Sequence, residues 1–368
     1  MLKLGFIINA LITTTNASAI VEFGYNDVLY YIHSENDKTV FVGDNVGNTR
    51  LKTELEIPAE VTYNGITYKV IGIGDKAFYE CRELKTVIIP NAVTTIGNKA
   101  FSDCTGLTSI TIPNSVITIG DGAFEACSEL ASITIPNSVT TIGEDAFWGC
   151  SGLTSVIIPN SVTTIKNGAF CKSGLKSVTI SNSVKTLEPC TFEGCGLTSV
   201  TIPNSVTTIK DGAFAGCWDL TSVTISSSVK TIEKEAFAEC RNISSIYCYA
   251  ITPPQAGNFV DYQIYYDCTL YVPEESIELY KSKSPWRKFY TIETVESTGI
   301  DGATTSDNVS ISVNDGSIMI NGIDGNTKVE VYNLSGELVY SGTDNVIQNI
   351  PQGVYIVKVN NKSIKIRL

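Results

Sequence analysis

Apolar and polar residues follow one another along this chain in a unit that recurs many times. Residues 107–127, LTSITIPNSVITIGDGAFEAC, agree with residues 130–150, LASITIPNSVTTIGEDAFWGC, at nearly every apolar position. Phenylalanine marks the period, in steps of 23 residues with two steps of 22: Phe78, Phe101, Phe124, Phe147, Phe170, Phe192, Phe214 and Phe237. A fixed period of this length indicates a solenoid of stacked units.

Each unit predicts two short extended segments joined by a turn. Residues 107–112 alternate apolar and hydroxyl side chains, as a half-buried strand does. Pro113 and Asn114 predict a turn, after which Val116 and Ile119 return to the interior. One unit cannot bury these faces alone, so stacked units share them and stability approaches a sum of nearest-neighbour terms.

The unit has the form L-x-S-[VI]-T-I-P-N-S-V-T-T-I-x-x-x-A-F-x-x-C, which begins with leucine-rich-repeat spacing. Across roughly residues 55–250 it resembles the BspA-like leucine-rich repeat of bacterial surface proteins. The resemblance implies a mostly β protein with a curved solenoid of 22–23-residue repeats, used for contact with other molecules. It implies no particular ligand.

The N-terminal residues 1–19 predict a signal peptide. Lys3 precedes an apolar run at 4–12, and Ala17-Ser18-Ala19 has the small-residue form of a cleavage site. A buried first strand is the alternative. The apolar run is too short to span a bilayer, and no other segment approaches that length, so the mature form is expected to have no membrane-spanning segment.

Composition divides the rest of the chain into five parts. Residues 20–76 predict an N-terminal cap with a degenerate first repeat, and residues 77–250 are the repeat array. Residues 251–295 predict a C-terminal cap, with a strand near 269–273 and helical composition at 276–289. Residues 296–308 are polar and small and predict a linker, followed by a β-rich domain at 309–368.

The C-terminal segment, 309–368, predicts a small, immunoglobulin-like β-sandwich of short alternating strands. Two sequence segments within it, VYNLSGELVYSG and NIPQGVYIVKVNNKSIKIRL, resemble the C-terminal sorting domain of type IX secretion cargo. The residues that carry this resemblance as a sorting signal are Gly336, Gly353, Tyr355, Lys362, Lys365 and Arg367. The resemblance implies export through the outer membrane, with the type IX secretion machinery as a partner. An ordinary accessory sandwich is the alternative.

Eleven cysteines occur, and seven share one phase of the repeat: Cys81, Cys104, Cys127, Cys150, Cys195, Cys217 and Cys240. Side chains at one phase point inward in parallel, which disfavours the disulfide dihedral angle. We therefore expect a buried column of free thiols. The alternative is a disulfide among the off-phase residues Cys171, Cys190, Cys248 and Cys268.

The chain has few of the motifs that carry chemistry. It contains no G-x-S-x-G, P-loop, H-E-x-x-H or calcium-loop pattern, and its single histidine, His33, cannot support a usual zinc site. The sequence therefore predicts no enzyme, cofactor or metal. A net charge of −12 argues against a nucleic-acid partner.

The outward positions of the first extended segment form a regular array of hydroxyls, here called the hydroxyl face. It comprises Thr108, Ser109, Thr111, Ser132, Thr134, Thr154, Ser155, Ser177, Thr179, Thr198, Ser199, Thr201, Thr221, Ser222 and Thr224. Ile88 and Ile157 are its apolar exceptions. Tyr79, Trp148 and Trp218 are predicted as exposed aromatic contacts. The alternative is that Ser and Thr are simply soluble strand residues.

The sequence therefore predicts a non-enzymatic, adhesin-like binding protein, extracellular or on the outer cell surface. Its expected partner is a protein or glycan on host or neighbouring cells. A structural surface-coat protein without a specific ligand is the first alternative. A carbohydrate-active accessory module, with carboxylates brought together in space, is the least favoured.

Overall fold

The computed structural model describes residues 21–44, 52–295, 303–304 and, with short gaps, 310–367. The predicted signal peptide and most of the predicted linker lie outside the described residues. The chain forms two compact units, one holding the repeats and the other the C-terminal strands. Each is described by itself.

The N-terminal cap is built from strands Glu22–Tyr25, Val28–Ser34, Thr39–Val42, Glu54–Glu56, Glu60–Tyr63 and Ile66–Ile73. Ile66–Ile73 pairs in parallel with both Thr39–Val42 and the first repeat, so the cap sheet continues into the solenoid. Phe23 stacks on Tyr63 at 4.4 Å and closes this end of the core.

Each repeat contributes a first and a second strand, as the alternation predicted. The first strands are Thr86–Ile88, Ser109–Thr111, Ser155–Ile157, Ser177–Thr179, Ser199–Ile202, Ser222–Ile225 and Ser245–Cys248. The second strands are Thr95–Ile96, Thr118–Ile119, Thr141–Ile142, Thr164–Ile165, Thr186–Leu187, Thr208–Ile209 and Thr231–Ile232. Pairing is parallel and in register, with Thr118 opposite Thr141 and Ser199 opposite Ser222.

One repeat departs from this pattern. Residues 131–136 form no strand, although Leu130 and the neighbouring repeats have the same spacing. The N–H of Ala131 reaches the carbonyl of Thr108 only at 3.5 Å, so the ladder is loose here. Ser132 and Thr134 nevertheless stay exposed and Ile133 buried, so the inward and outward alternation survives the break.

The solenoid core is organised around its phenylalanines. From Phe78 to Phe237 each ring stacks on the next with centroids 5.1–5.6 Å apart and planes within 17° of parallel. A ninth ring, Phe259, follows edge-on at 6.4 Å. The periodic spacing had not marked this ring, because the residues around it have left the repeat consensus.

The cysteine column lies beside the rings and is structural. All eleven cysteines are free thiols in this structure, and the seven at the repeat phase are buried, as that phase predicted. Cys127 Sγ donates to the Phe101 carbonyl at 3.1 Å, and Cys150 Sγ does the same to Phe124. The same bond recurs at Cys104, Cys195, Cys217 and Cys240, so these thiols tie each repeat, or rung, to the phenylalanine-bearing turn of the rung before it.

The C-terminal cap comprises Gln255–Ala256, the helix Ile264–Asp267, Thr269–Val272, the 3-10 turn Glu274–Ser276, the helix Ile277–Ser282, the 3-10 turn Trp286–Lys288 and Thr291–Thr294. The helical composition at 276–289 thus gives a broken helix. Pro285 lacks the N–H that a continuous helix needs at that point. Trp286 is buried against Phe259 at 5.0 Å, and its Nε1 donates to the Pro254 carbonyl.

The second unit contains two four-stranded sheets, whose pairings are antiparallel. One holds Ala303–Thr304, Ser310–Asn314, Ser317–Asn321 and Val346–Ile347, and the other Val329–Asn333, Leu338–Gly342, Val354–Val359 and Lys362–Arg367. Ile318 and Ile347 from one sheet and Val331 and Val357 from the other share one buried cluster, which makes a small β-sandwich. The two-residue strands were not predicted, and Ala303–Thr304 lies inside the expected linker. Both are too short to show an alternating pattern.

Candidate binding face

The hydroxyl face lies along the first strands of successive repeats, as predicted. All of its residues are exposed except Ser222 and Thr224, which are half-buried near the C-terminal cap. Where the ladder is intact, equal positions stand opposite each other, as Thr201 does with Thr224. Strands in a sheet are about 4.8 Å apart, so the face repeats one pattern of hydroxyls at that interval.

The hydroxyls differ in what they already bind. Thr108 Oγ1 donates to the Lys85 carbonyl at 3.2 Å, and Thr221 Oγ1 donates to the Thr198 carbonyl at 3.0 Å. These threonines, which precede the strands, help to hold neighbouring rungs together. Within the described part of the chain, the strand residues themselves, such as Thr111 and Thr201, show no comparable bond, and their hydroxyls face solvent.

Two apolar side chains interrupt the hydroxyl pattern. Ile88 is 60% exposed and Ile157 is 72% exposed, and both stand in the strand position that Thr111 and Thr134 occupy in other repeats. They break the uniformity of an otherwise polar face.

The three predicted aromatic contacts do not lie on this face. They sit on the turns that follow the second strands, and only Trp218, 65% exposed, is open to solvent. Trp148 is half-buried, because Lys172 Nζ lies 5.5 Å from its ring centroid. Tyr79 is also half-buried, and a hydrogen bond with Glu80 raises the pKa of its phenol. The prediction that all three are exposed is therefore wrong for Tyr79 and Trp148.

Acidic residues on the turns bridge neighbouring rungs. Asp75 Oδ1 accepts the N–H of Asn98 at 2.7 Å, and Asp121 Oδ1 accepts that of Glu144 at 2.8 Å. Asp121 also accepts Lys166 Nζ at 2.9 Å. Partial burial raises the pKa of Asp121, but the bonds from Lys166 and from the Glu144 N–H outweigh that effect and hold the pKa below its ordinary value. These carboxylates therefore stabilise the packing of neighbouring repeats.

Other kinds of site have little support in the described structure. Within the ranges given above, no three His, Cys, Asp or Glu side chains are grouped to hold a metal ion. Two surface cavities of about 530 and 310 Å³ are lined by Ile251 and Pro253, and by Tyr31 and Asp75, among others. Neither cavity includes a residue of the hydroxyl face. In the same ranges no helix has the length and hydrophobicity needed to cross a membrane.

The residues predicted as a sorting signal belong to the second unit. Gly336 lies outside the described residues. Tyr355 is buried and donates its hydroxyl to the Pro351 carbonyl at 2.7 Å. A Cβ on Gly353 would stand 3.2 Å from the Tyr355 ring, which explains the glycine there. Lys362, Lys365 and Arg367 fall on the last strand, paired with Val354–Val359.

Parallel strands in register, one turn per 22–23 residues and a shared apolar column make the first unit a leucine-rich-repeat solenoid. The chain belongs to the family described as BspA type leucine rich repeat region, whose model matches residues 71–197 and 163–271, more than half of the chain. Membership in this family fits a role in binding other molecules.

Solved structures of leucine-rich-repeat proteins are similar to this chain. One from Bacteroides ovatus is 28% identical over 74% of this chain and 76% of its own, with a TM-score of 0.56. The leucine rich repeat protein of T. pallidum is 26% identical over 60% of this chain and 89% of its own, with a TM-score of 0.43. No curated protein matches the sequence.

Proposed function

We propose that this chain is a non-enzymatic, adhesin-like protein of the cell surface or extracellular medium. The hydroxyl face contacts a protein or glycan on host or neighbouring cells. The observation that carries this proposal is the row of solvent-facing Ser and Thr side chains, whose first strands pair in register within three separate sheets. Such a face offers many donors and acceptors without the entropic penalty of ordering long side chains.

The second unit is proposed to direct export. Its β-sandwich carries the residues that resemble a type IX sorting signal, and the N-terminal segment would direct the first step of transport. That resemblance, together with the small β-sandwich core that the segment forms, supports this role. The mature protein then acts outside the cell.

The binding role is tested with the purified full chain against a panel of matrix proteins and glycans. Thr134→Lys, Thr201→Lys and Thr224→Lys together place three long cations on the hydroxyl face and are expected to lower affinity at least tenfold. Thr94→Lys, Thr140→Lys and Thr163→Lys form the matched control, because these exposed threonines flank the second strands. Unchanged affinity in the first variant would remove the hydroxyl face from the proposal.

A structural surface-coat role is the second candidate. It is favoured by the threonines that donate to neighbouring rungs, since Thr108 and Thr221 use their hydroxyls within the coil. This role predicts no saturable binding to any member of the panel, together with unchanged surface display. Saturable binding that the hydroxyl-face variant loses would decide for the first function.

The export role is tested by deleting residues 309–368. The truncated chain is expected to accumulate in the periplasm, and fractionation with immunoblotting measures this. A variant with only Tyr355→Phe, which keeps the ring and loses the hydroxyl bond to Pro351, is the milder comparison. Normal surface display of the truncated chain would contradict the sorting assignment.

A further inference from the structure

The C-terminal cap carries an exposed pair of tyrosines that the core does not use. Tyr262 is 71% exposed and Tyr266 is 48% exposed. Their ring centroids are 5.1 Å apart with the planes at 59°, and their hydroxyl oxygens are 2.6 Å apart. The two rings therefore form a fixed, open corner on the surface.

The local helix explains why both rings face outward. Ile264 and Tyr265 in the helix Ile264–Asp267 are buried, and the i,i+4 spacing puts Tyr262 and Tyr266 together on the other side. A second i,i+4 pair runs alongside, in which Gln263 Nε2 donates to Asp267 Oδ2 at 2.9 Å. These four side chains are ordered by their own bonds before any ligand arrives, which lowers the entropic cost of binding.

The packing of the cap does not depend on this pair. Its aromatic core is formed by Tyr265, Phe259, Trp286 and Phe289, with Tyr265 and Phe289 edge-to-face at 4.9 Å. Tyr290 is also exposed, at 82%, and its N–H donates to the Tyr265 carbonyl at 2.7 Å. Exposed aromatic side chains of this kind are the usual anchors of binding sites.

We propose that this tyrosine corner binds the pyranose rings of a neutral polysaccharide. An aromatic face carries negative potential that attracts the polarised C–H edge of a sugar ring. The phenol hydroxyls, the Gln263 amide and the Asp267 carboxylate supply donors and acceptors for sugar hydroxyls. This site is separate from the hydroxyl face and goes beyond the function proposed for it.

Two features favour a neutral sugar over other ligands. Tyr262, Gln263, Tyr266 and Asp267 each carry a hydrogen-bonding group, which matches the many hydroxyls of a sugar ring. The Asp267 carboxylate and the net charge of −12 on the chain repel anionic glycans.

Affinity electrophoresis of the full chain tests the proposal, with gels that contain a β-glucan, a mannan, a xylan, a galactan or, as the anionic probe, hyaluronan. We expect retardation by at least one neutral polysaccharide. Tyr262→Ala and Tyr266→Ala are each expected to weaken it at least tenfold. Tyr262→Phe, which keeps the ring, stays within about threefold. Ile117→Ala, which removes an exposed large side chain of the repeat array outside the hydroxyl face, is the control and should bind as the wild type does.

The proposal fails if no neutral polysaccharide retards the chain, if only hyaluronan does, or if both alanine variants bind normally. Circular dichroism confirms that the variants are folded, as their exposure predicts. The hydroxyl-face variant with three lysines is run in parallel and is expected to keep its retardation. If it alone loses retardation, the glycan belongs to the hydroxyl face, and the corner is refuted while the proposed function stands.

Discussion

The stack of phenylalanines makes a specific prediction about stability at Phe147. This ring is fully buried, with Phe124 at 5.3 Å on one side and Phe170 at 5.1 Å on the other. Replacing it with alanine removes the apolar burial and leaves a gap in the middle of the column. The neighbouring rungs cannot collapse into that gap, because their strands are fixed in register by the ladder.

The magnitude follows from the contacts. Truncating a buried phenylalanine to alanine lowers the free energy of unfolding by roughly 3–5 kcal/mol. Each stacked pair adds about 0.5–1.5 kcal/mol beyond area burial. Phe147→Ala loses two such pairs, whereas Phe78→Ala at the start of the column loses one, with Phe101 at 5.2 Å. We therefore expect Phe147→Ala to be more destabilising than Phe78→Ala by about 0.5–1.5 kcal/mol.

Urea unfolding followed by circular dichroism measures both variants. Hydrogen exchange shows where the structure loosens. The Phe124 N–H donates to the Ala146 carbonyl, and the Phe147 N–H donates to the Ala169 carbonyl. These amides should lose protection first in Phe147→Ala. Phe147→Leu, which stays apolar and lacks the ring, is expected to fall between the alanine variant and the wild type. A change below 1 kcal/mol in Phe147→Ala would refute the stacked-column account.

Three further predictions concern the buried thiols, one exposed ion pair and one buried serine. Burial raises the pKa of the Cys150 and Cys195 thiols from 9.0 to about 12, so the unfolded chain loses these protons first as pH rises. Unfolding free energy should therefore fall as pH rises from 9 to 12, and Cys150→Ala should make the fall shallower; an unchanged slope in that variant would contradict the burial of this thiol. Lys166→Ala removes an exposed ion pair with Asp121 and should change urea stability by less than about 1 kcal/mol; a larger loss would make it structural. Ser173 stands three residues after Phe170, at the cysteine phase of the repeat, where it is buried with its hydroxyl 3.3 Å from Cys195 Sγ. Ser173→Cys completes the thiol column and should raise the free energy of unfolding by about 1 kcal/mol; a lower melting temperature would contradict this.

The repeat array could be predicted from the sequence because one constraint is applied many times. Every rung must bury the same positions, so Leu107, Phe124 and Cys127 and their equivalents recur at one phase. The hydroxyl face follows from the same alternation, since its residues are the outward half of the pattern. The free thiols also follow, because side chains at equal phase point in parallel.

Features outside the periodic pattern could not be predicted in this way. Phe259 continues the ring column by turning edge-on, a geometry set by Trp286 in the cap rather than by spacing. Trp148 was expected to be exposed, but Lys172 from the next repeat covers it. The exposed pair Tyr262 and Tyr266 depends on which side of a four-residue helix is buried, and that helix is too short to show a period.

The periodicity that holds the solenoid together also limits what a uniform face can recognise. A ladder of identical hydroxyls, repeated about every 4.8 Å, presents the same pattern to a ligand shifted by one rung. Such a face can bind a ligand anywhere along the solenoid axis, but it does not fix the ligand at one position on that axis. A unique binding position must come from residues that depart from the repeat consensus. Ile88 and Ile157 are two such residues on the hydroxyl face, three rungs or about 14 Å apart. The two caps also depart from the repeat, because their side chains do not follow the repeat consensus. Specific recognition by this protein is therefore expected at the two isoleucines and at the cap, with the hydroxyls between them supplying contact area.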